Sequence, residues 1–186
     1  LIGLLRGGPD LQELRRMLSR RGISVNTVLT AGADLPSLER MGDAALNIVL
    51  CEAAGKEAAE LLCRRFHTPY LLETLPIGAG ASCRFLQRVA EALSLAADAD
   101  GCEELQPFDP ACLQGRKIAI IGGPTRALSV TRFLVELGVE PRLVVLDFDT
   151  DTRGKISDML GTACDVLVEP EQDLIFRNLK EKGIDL

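Results

Sequence analysis

Apolar residues recur along the first half of the chain in two alternating patterns. Short unbroken runs predict four strands, at 1–5, 24–31, 45–51 and 68–74. The stretches that follow them have apolar residues at helical spacing and predict helices at 11–22, 34–44, 54–66 and 81–95. The first of these helices ends at Gly22, as helices often do. The first half therefore predicts four successive strand–helix units.

The alternation stops between residues 97 and 114 and then starts again. This stretch contains acidic residues, two prolines and no clear period, so we predict a linker with one helical turn at most. Strands are predicted at 116–123, 141–148 and 164–169, with helices at 124–138, 153–163 and 171–183. Residues 184–186 resemble the opening of a further strand, so we expect more sequence after Leu186 and also before Leu1.

Strands that are apolar throughout and alternate with helices are typical of parallel sheets covered on both faces. The predicted fold class is α/β, with two Rossmann-like domains that each contain a parallel β-sheet flanked by helices. The first domain is predicted to span residues 1–96, the linker 97–114, and a second, incomplete domain 115–186.

Composition and charge exclude several classes of protein. The net charge is −6, with no tryptophan and a single tyrosine, so we expect no nucleic-acid partner. No apolar run approaches the roughly 18–20 residues that a membrane span requires, and we expect no membrane partner. The six cysteines show no short repeated spacing, which favours a reducing cytoplasm over a disulfide framework.

The sequence offers a few candidate functional residues, each with a structural alternative. Gly122 and Gly123 precede Pro124 and Thr125 where a strand meets a helix, which suits either a ligand or a tight turn. Asp147 ends the next strand, where a dinucleotide enzyme holds its ribose, but the glycine pattern of such enzymes is missing.

One histidine and one cysteine are further candidates. His67, the only histidine, is interpreted as a helix-terminal residue rather than a base or ligand. Cys51 is the only cysteine at the carboxyl end of a predicted strand, where parallel sheets meet ligands. It is either a ligand or a small buried hydrophobic residue.

Several longer segments together resemble the nitrogenase component 1 family. They are "LRRMLSRRGISVN", "ALNIVLC", "PYLLETLPIG" and "GRKIAIIGGPTRALSVTRFLVELGVEP", in the same order. The resemblance covers nearly all of the chain and corresponds to the family's second domain and part of its third. The family includes nitrogenase subunits, scaffolds that mature the nitrogenase cofactor, and reductases of tetrapyrroles.

The resemblance also implies roles for particular residues. Cys51 matches the cysteine with which the α-type nitrogenase subunit binds iron of its cofactor. Gly122 and Gly123, with Pro124 and Thr125, match a loop whose backbone lies against that cofactor. Two departures make dinitrogen reduction doubtful: the α-type subunit has arginine where this chain has Thr125, and histidine where it has Leu50.

The sequence therefore predicts function only as far as the resemblance to the family allows. The resemblance implies an oxidoreductase or a cofactor-assembly scaffold that binds a metallocluster or a tetrapyrrole in a cleft between domains. Its cofactor would be an iron–sulfur or iron–molybdenum-type cluster in the full-length protein, with none expected in the 186-residue chain alone. Its partners would be a homologous subunit and an ATP-dependent iron–sulfur reductase.

Two other functions stay open. The first alternative is a non-catalytic small-molecule-binding module or pseudo-subunit of the same fold, in which Cys51 belongs to the core. The second is a nucleotide-dependent enzyme that uses residues 122–124 together with Asp147. The substrate, the identity of the metal and the oligomeric state do not follow from the sequence.

Overall fold

The computed structural model of the protein describes residues 1–4, 7–95, 108–148 and 150–184. The chain divides into two compact units, Leu1–Gln106 and Pro107–Leu186, called here unit 1 and unit 2. Each is described by itself.

Unit 1 contains a four-stranded parallel sheet in the order β2-β1-β3-β4. Its strands are β1 (Ile2–Leu4), β2 (Leu29–Thr30), β3 (Asn47–Val49) and β4 (Tyr70–Leu72). Its helices are α1 (Pro9–Arg20), α2 (Leu35–Glu39), α3 (Glu52–Phe66) and α4 (Ala79–Ala92), and a 3₁₀ turn at Arg40–Asp43 follows α2.

Two apolar layers cover the faces of this sheet. On one face, Leu14 and Leu18 of α1 pack with Phe85 of α4 against Ile48 and Leu50. On the other face, Ala59 of α3 packs against Ile2 and Val49. Alternate residues around β3 therefore enter opposite layers, as the period of two in a strand requires.

Unit 2 contains a three-stranded parallel sheet in the order β5-β6-β7. Its strands are β5 (Ala119–Gly122), β6 (Leu143–Leu146) and β7 (Asp165–Val168). Its helices are α5 (Pro124–Glu136), α6 (Thr152–Leu160) and α7 (Gln172–Glu181), and 3₁₀ turns lie at Pro110–Leu113 and Gly161–Ala163.

The central strand β6 is buried on both sides in unit 2. Val144 and Leu146 pack in the layer that contains Ile156 of α6, together with residues of α5. Leu143 and Val145 pack in the opposite layer with Leu179 of α7. The continuous apolar run that predicted this strand follows from burial on both faces.

The predicted fold class is confirmed, since both sheets are parallel and helices cover both faces of each. The strands are shorter than predicted, most clearly β2, which occupies only Leu29–Thr30 of the predicted 24–31. Of the predicted linker, only residues 108–114 are described, and they contain the 3₁₀ turn Pro110–Leu113. Of the predicted terminal strand, residues 185–186 lie outside the described residues.

Two further observations concern cysteines and membranes. Cys51, Cys63, Cys112 and Cys164 are free thiols. Cys83 is disulfide-bonded, which differs from the expectation that the cysteines are reduced. In the described part of the chain, no helix combines the length and the apolar character that crossing a membrane requires.

Candidate functional site

The winding of unit 1 changes direction next to β1. The chain passes from β1 over α1 to β2 on one side, and then returns to β3 on the other side of β1. Because α1 and α3 cover opposite faces, the carboxyl ends of β1 and β3 form a topological switch point. This topological switch point is where open α/β sheets bind ligands. Cys51 lies two residues after the end of β3 and therefore at this switch point.

The backbone of Cys51 is fixed by both elements that it joins. It is the N-cap residue of α3, with an extended backbone, and its carbonyl accepts a hydrogen bond of 2.9 Å from Gly55 N–H. The preceding residue, Leu50, donates its N–H to Ile2 C=O at 2.9 Å. The Cys51 side chain makes no cap hydrogen bond, and the residue is half-buried. The backbone of Cys51 is therefore fixed, while its thiol takes no part in capping the helix.

Gly3 of β1 lies against Cys51, and sequence reasoning missed it. A Cβ atom at Gly3 would lie 2.8 Å from Cys51 N and 3.0 Å from Cys51 Cβ. Gly3 also has φ of +89°, which side chains disfavour. The only signal in the sequence was a glycine inside an apolar strand, which often marks a close backbone approach.

In unit 2, the four predicted residues Gly122, Gly123, Pro124 and Thr125 form the junction between β5 and α5. Gly123 is the N-cap of α5, and no side chain caps this helix. A Cβ at Gly122 would meet no atom within 4 Å, so the junction is open there. Tight packing does not explain this glycine.

Asp147 lies beside the same junction. Its N–H donates to Gly122 C=O at 3.3 Å, and its carboxylate oxygen Oδ2 lies 3.9 Å from the position of a Cβ on Gly123. The structure therefore brings Asp147 and the glycines together, as the nucleotide hypothesis requires. The carboxylate also places negative charge where that hypothesis needs a phosphate, which disfavours a phosphate there.

Unit 1 contains a second Gly-Gly-Pro junction of the same kind. Gly7 and Gly8 precede Pro9, the first residue of α1, just as Gly122 and Gly123 precede Pro124. Both helices also end alike, with Ile23 N–H bonded to Leu18 C=O at 3.0 Å and Val139 N–H to Leu134 C=O at 2.9 Å. The repeated Gly-Gly-Pro was the signal for this similarity.

His67 and the buried Cys164 occupy positions that serve the structure of the chain. His67 is the C-cap of α3 in the left-handed conformation, with φ of 58°, as its interpretation as a helix-terminal residue suggests. Cys164 is buried, and burial, with a smaller contribution from Asp165, raises the pKa of its thiol to about 11. Cys51 and the glycines Gly122 and Gly123 belong to different units, so their predicted convergence stays a prediction.

The fold and the switch-point thiol define an α/β protein of two Rossmann-like units. Comparison with known proteins is more specific, because residues 1–186 match the family described as nitrogenase component 1 type oxidoreductase. The chain belongs to this family.

Individual relatives are similar over only part of their length. A subunit of the light-independent protochlorophyllide reductase of Methylobacterium radiotolerans is 35% identical over 137 residues, which cover 69% of this chain and 26% of that protein. The protein of the same name from Prochlorococcus marinus (strain MIT 9301) is 32% identical over 171 residues, which cover 86% of this chain and 31% of that protein. The chain thus spans about a quarter to a third of these relatives.

A solved structure supports the fold. "Nitrogenase Cp1 at pH 6.5" superposes with a TM-score of 0.77 at 22% identity and covers 96% of this chain and 46% of that chain. The oxidoreductase family and the nitrogenase-like fold predicted from the sequence are therefore confirmed.

Proposed function

We propose that the whole protein is a nitrogenase component 1-type oxidoreductase that reduces a tetrapyrrole similar to protochlorophyllide. The relatives named as protochlorophyllide reductase subunits support this substrate class over dinitrogen. The observation in this chain that carries the proposal is Cys51, a free and half-buried thiol at the topological switch point of unit 1. Its position is where this class of sheet binds ligands.

Cys51 contributes a sulfur ligand in this proposal. A thiolate is the soft ligand that iron–sulfur groups prefer, so the residue fits one ligand position of an iron–sulfur or iron–molybdenum-type cluster. Such a cluster, when bound, supplies electron transfer. Among the described residues, no three His, Cys, Asp or Glu side chains are grouped to hold a metal, so the other ligands come from elsewhere.

The junction in unit 2 contributes backbone groups. Gly122 and Gly123 lack side chains, and the first turn of α5, which begins at Pro124, has no capping side chain. Thr125 adds a hydroxyl to the same turn. We place these groups against the bound tetrapyrrole or cluster, which a backbone without side chains can approach closely.

The proposal includes partners and a location. By analogy with the family, electrons come from an ATP-dependent iron–sulfur reductase, and a homologous subunit completes the complex. We propose a cytoplasmic location for the protein, in which the disulfide of Cys83 is reduced.

The test uses the full-length protein with Cys51→Ala, and with Cys63→Ala as a matched control. Cys63 is also a free, half-buried thiol, and it lies near the other end of α3. We expect Cys51→Ala to lose bound iron or tetrapyrrole and to reduce protochlorophyllide at least roughly tenfold more slowly, a loss of about 1.4 kcal/mol in transition-state stabilisation. Cys63→Ala should retain both properties.

Iron analysis and tetrapyrrole absorption distinguish the two kinds of bound group. Loss of iron alone identifies Cys51 as a cluster ligand, and loss of tetrapyrrole alone identifies it as a substrate contact. Unchanged iron, tetrapyrrole and rate in Cys51→Ala would contradict the proposal.

One observation favours a second candidate, the non-catalytic small-molecule-binding module. Cys51 has no neighbouring group of metal ligands among residues that the structure describes. In this second candidate the Cys51 thiol only fills space, and Cys51→Ala and Cys63→Ala behave alike.

A further inference from the structure

A polar cavity of about 550 Å³ lies at the amino ends of β5 and β6 in unit 2. Residues of two segments line it: 110–117, which precedes β5, and 137–142, which connects α5 to β6. Gly122 and Asp147 lie at the carboxyl ends of the same strands, so the cavity is separate from the junction described above. Its volume is within the range of small-molecule sites, roughly 300–1,000 Å³.

Two arginines give the cavity its positive charge. Arg116 and Arg142 both line it and both are exposed. In the described part of the chain, neither guanidinium has an ion pair or a hydrogen bond. Arg142 directly precedes Leu143, whose side chain packs in the layer of α7. Strand alternation therefore directs Arg142 to the opposite face, on which α5 and the cavity lie.

The other polar residues in the wall have different positions and charges. Lys117 is directed away, because its Nζ lies 2.8 Å from the position of a Cβ on Gly183, just after α7. Glu140 contributes one carboxylate and Gln114 one amide. Two free guanidiniums against one carboxylate leave the cavity positively charged, in a chain whose net charge is −6.

We propose that this cavity binds a sugar phosphate, a small molecule with one phosphate and several hydroxyl groups. Arg116 and Arg142 bind the phosphate, because a guanidinium offers paired N–H donors that match the geometry of phosphate oxygens. Glu140 accepts hydrogen bonds from the hydroxyl groups, and Gln114 can donate or accept them. The proposal does not depend on the role of Cys51.

The test is calorimetric titration of the full-length protein with ribose 5-phosphate and, separately, with inorganic phosphate. We expect a dissociation constant below about 1 mM for ribose 5-phosphate. Arg116→Gln and Arg142→Gln should each bind it roughly tenfold more weakly, because each removes a charged phosphate contact. Arg153→Gln is the matched control, since Arg153 is an exposed arginine of α6 that does not line the cavity. It should bind like the unchanged protein.

Glu140→Ala tests the contact with the hydroxyl groups. The unchanged protein should bind ribose 5-phosphate more tightly than inorganic phosphate, which has no sugar. Glu140→Ala removes the repulsion of both anions but removes an acceptor only from the sugar, so it should reduce the ratio of the two affinities. An unchanged ratio would overturn the assignment of a sugar phosphate as the ligand.

The two arginines also have a structural alternative, because cations stabilise the carboxyl end of a helix and the cavity lies next to the end of α5. Arg116→Gln and Arg142→Gln that lower the unfolding temperature but leave the affinity for ribose 5-phosphate unchanged would overturn the proposal. So would equal weakening by Arg153→Gln, or a dissociation constant above about 1 mM for the unchanged protein. If Arg142→Gln does not fold, Arg116→Gln decides, since Arg116 lies outside the helices and strands.

Discussion

At the scale of single residues, the contact between Gly3 and Cys51 determines where the candidate thiol lies. The β1 backbone approaches Cys51 so closely that a Cβ on Gly3 would be 2.8 Å from Cys51 N. The hydrogen bond from Leu50 N–H to Ile2 C=O holds the same two strands together. Strand pairing and the absence of one side chain thus place the N-cap of α3, and with it the thiol.

Gly3→Ala should destabilise the chain by about 2–3 kcal/mol, since it adds a steric conflict with backbone atoms to a strained φ. Gly22→Ala is the control, because Gly22 also has positive φ, at +69°, but a Cβ there meets nothing within 4 Å. Its cost should be about 1 kcal/mol. Urea unfolding measures both, and equal losses would show that the approach to Cys51 relaxes freely.

Cys164 makes stability depend on alkaline pH. Burial raises the pKa of its thiol from 9.0 to about 11, so the native state keeps a proton that the unfolded state loses in this window. The stabilisation is present below pH 9 and is lost as the pH rises toward 11, by on the order of 2–3 kcal/mol. Cys164→Ala should remove this part of the slope when unfolding free energy is measured against pH. An identical dependence of unfolding free energy on pH in both proteins would contradict the assignment of this effect to Cys164.

At the scale of elements, helix α3 packs on its sheet through a glycine. A Cβ at Gly55 would lie 2.8 Å from Ile2 Cγ2 and 2.9 Å from Val49 Cγ1. Ala59, one turn further along the same face, is fully buried. Small residues at these two positions let the helix axis approach β1 and β3, and the helix then begins at the switch point.

Two glycine-to-alanine substitutions in helices should therefore have opposite signs. Gly55→Ala should destabilise unit 1 by about 1–2 kcal/mol, because crowding of the core outweighs the better helix propensity. Gly154→Ala in α6 should stabilise unit 2 by up to about 1 kcal/mol, because Gly154 has no atom near its Cβ position. Thermal or urea unfolding measures both effects. If both substitutions stabilise the chain, α3 moves outward from its sheet at little cost.

Elements were more predictable from the sequence than their contacts. The four strand–helix units of the first half follow from apolar runs and helical spacing, because those patterns report which faces are buried. The residues at 24–31 favour a strand by type, but only Leu29–Thr30 pair with β1, and pairing is a tertiary property. Cys51 was predicted as a candidate because strand ends are visible in sequence, whereas Gly3 was missed because its role depends on a neighbour from a distant segment.

At the scale of the whole molecule, the described residues offer only part of a metal site. Cys51 offers one sulfur, and the described residues contain no group of three side chains suited to a metal. The junction at Gly122 and Gly123 lacks the glycine pattern of dinucleotide enzymes, and the Asp147 carboxylate lies beside it. The family site, as we propose it, needs groups that these residues do not supply.

The purified 186-residue chain should accordingly be colourless and redox-silent. Iron analysis should find no stoichiometric iron, and the spectrum should show no band near 400 nm. Calorimetric titration should detect no binding of NAD or ATP at micromolar affinity, about −8 kcal/mol.

Asp147→Asn tests whether the Asp147 carboxylate weakens nucleotide binding, because removing its charge should raise any weak affinity for ATP. Stoichiometric iron would show that the chain completes a metal site by itself. Micromolar nucleotide binding that depends on Asp147 would favour the nucleotide enzyme, since an acidic residue at this strand end holds a ribose rather than a phosphate.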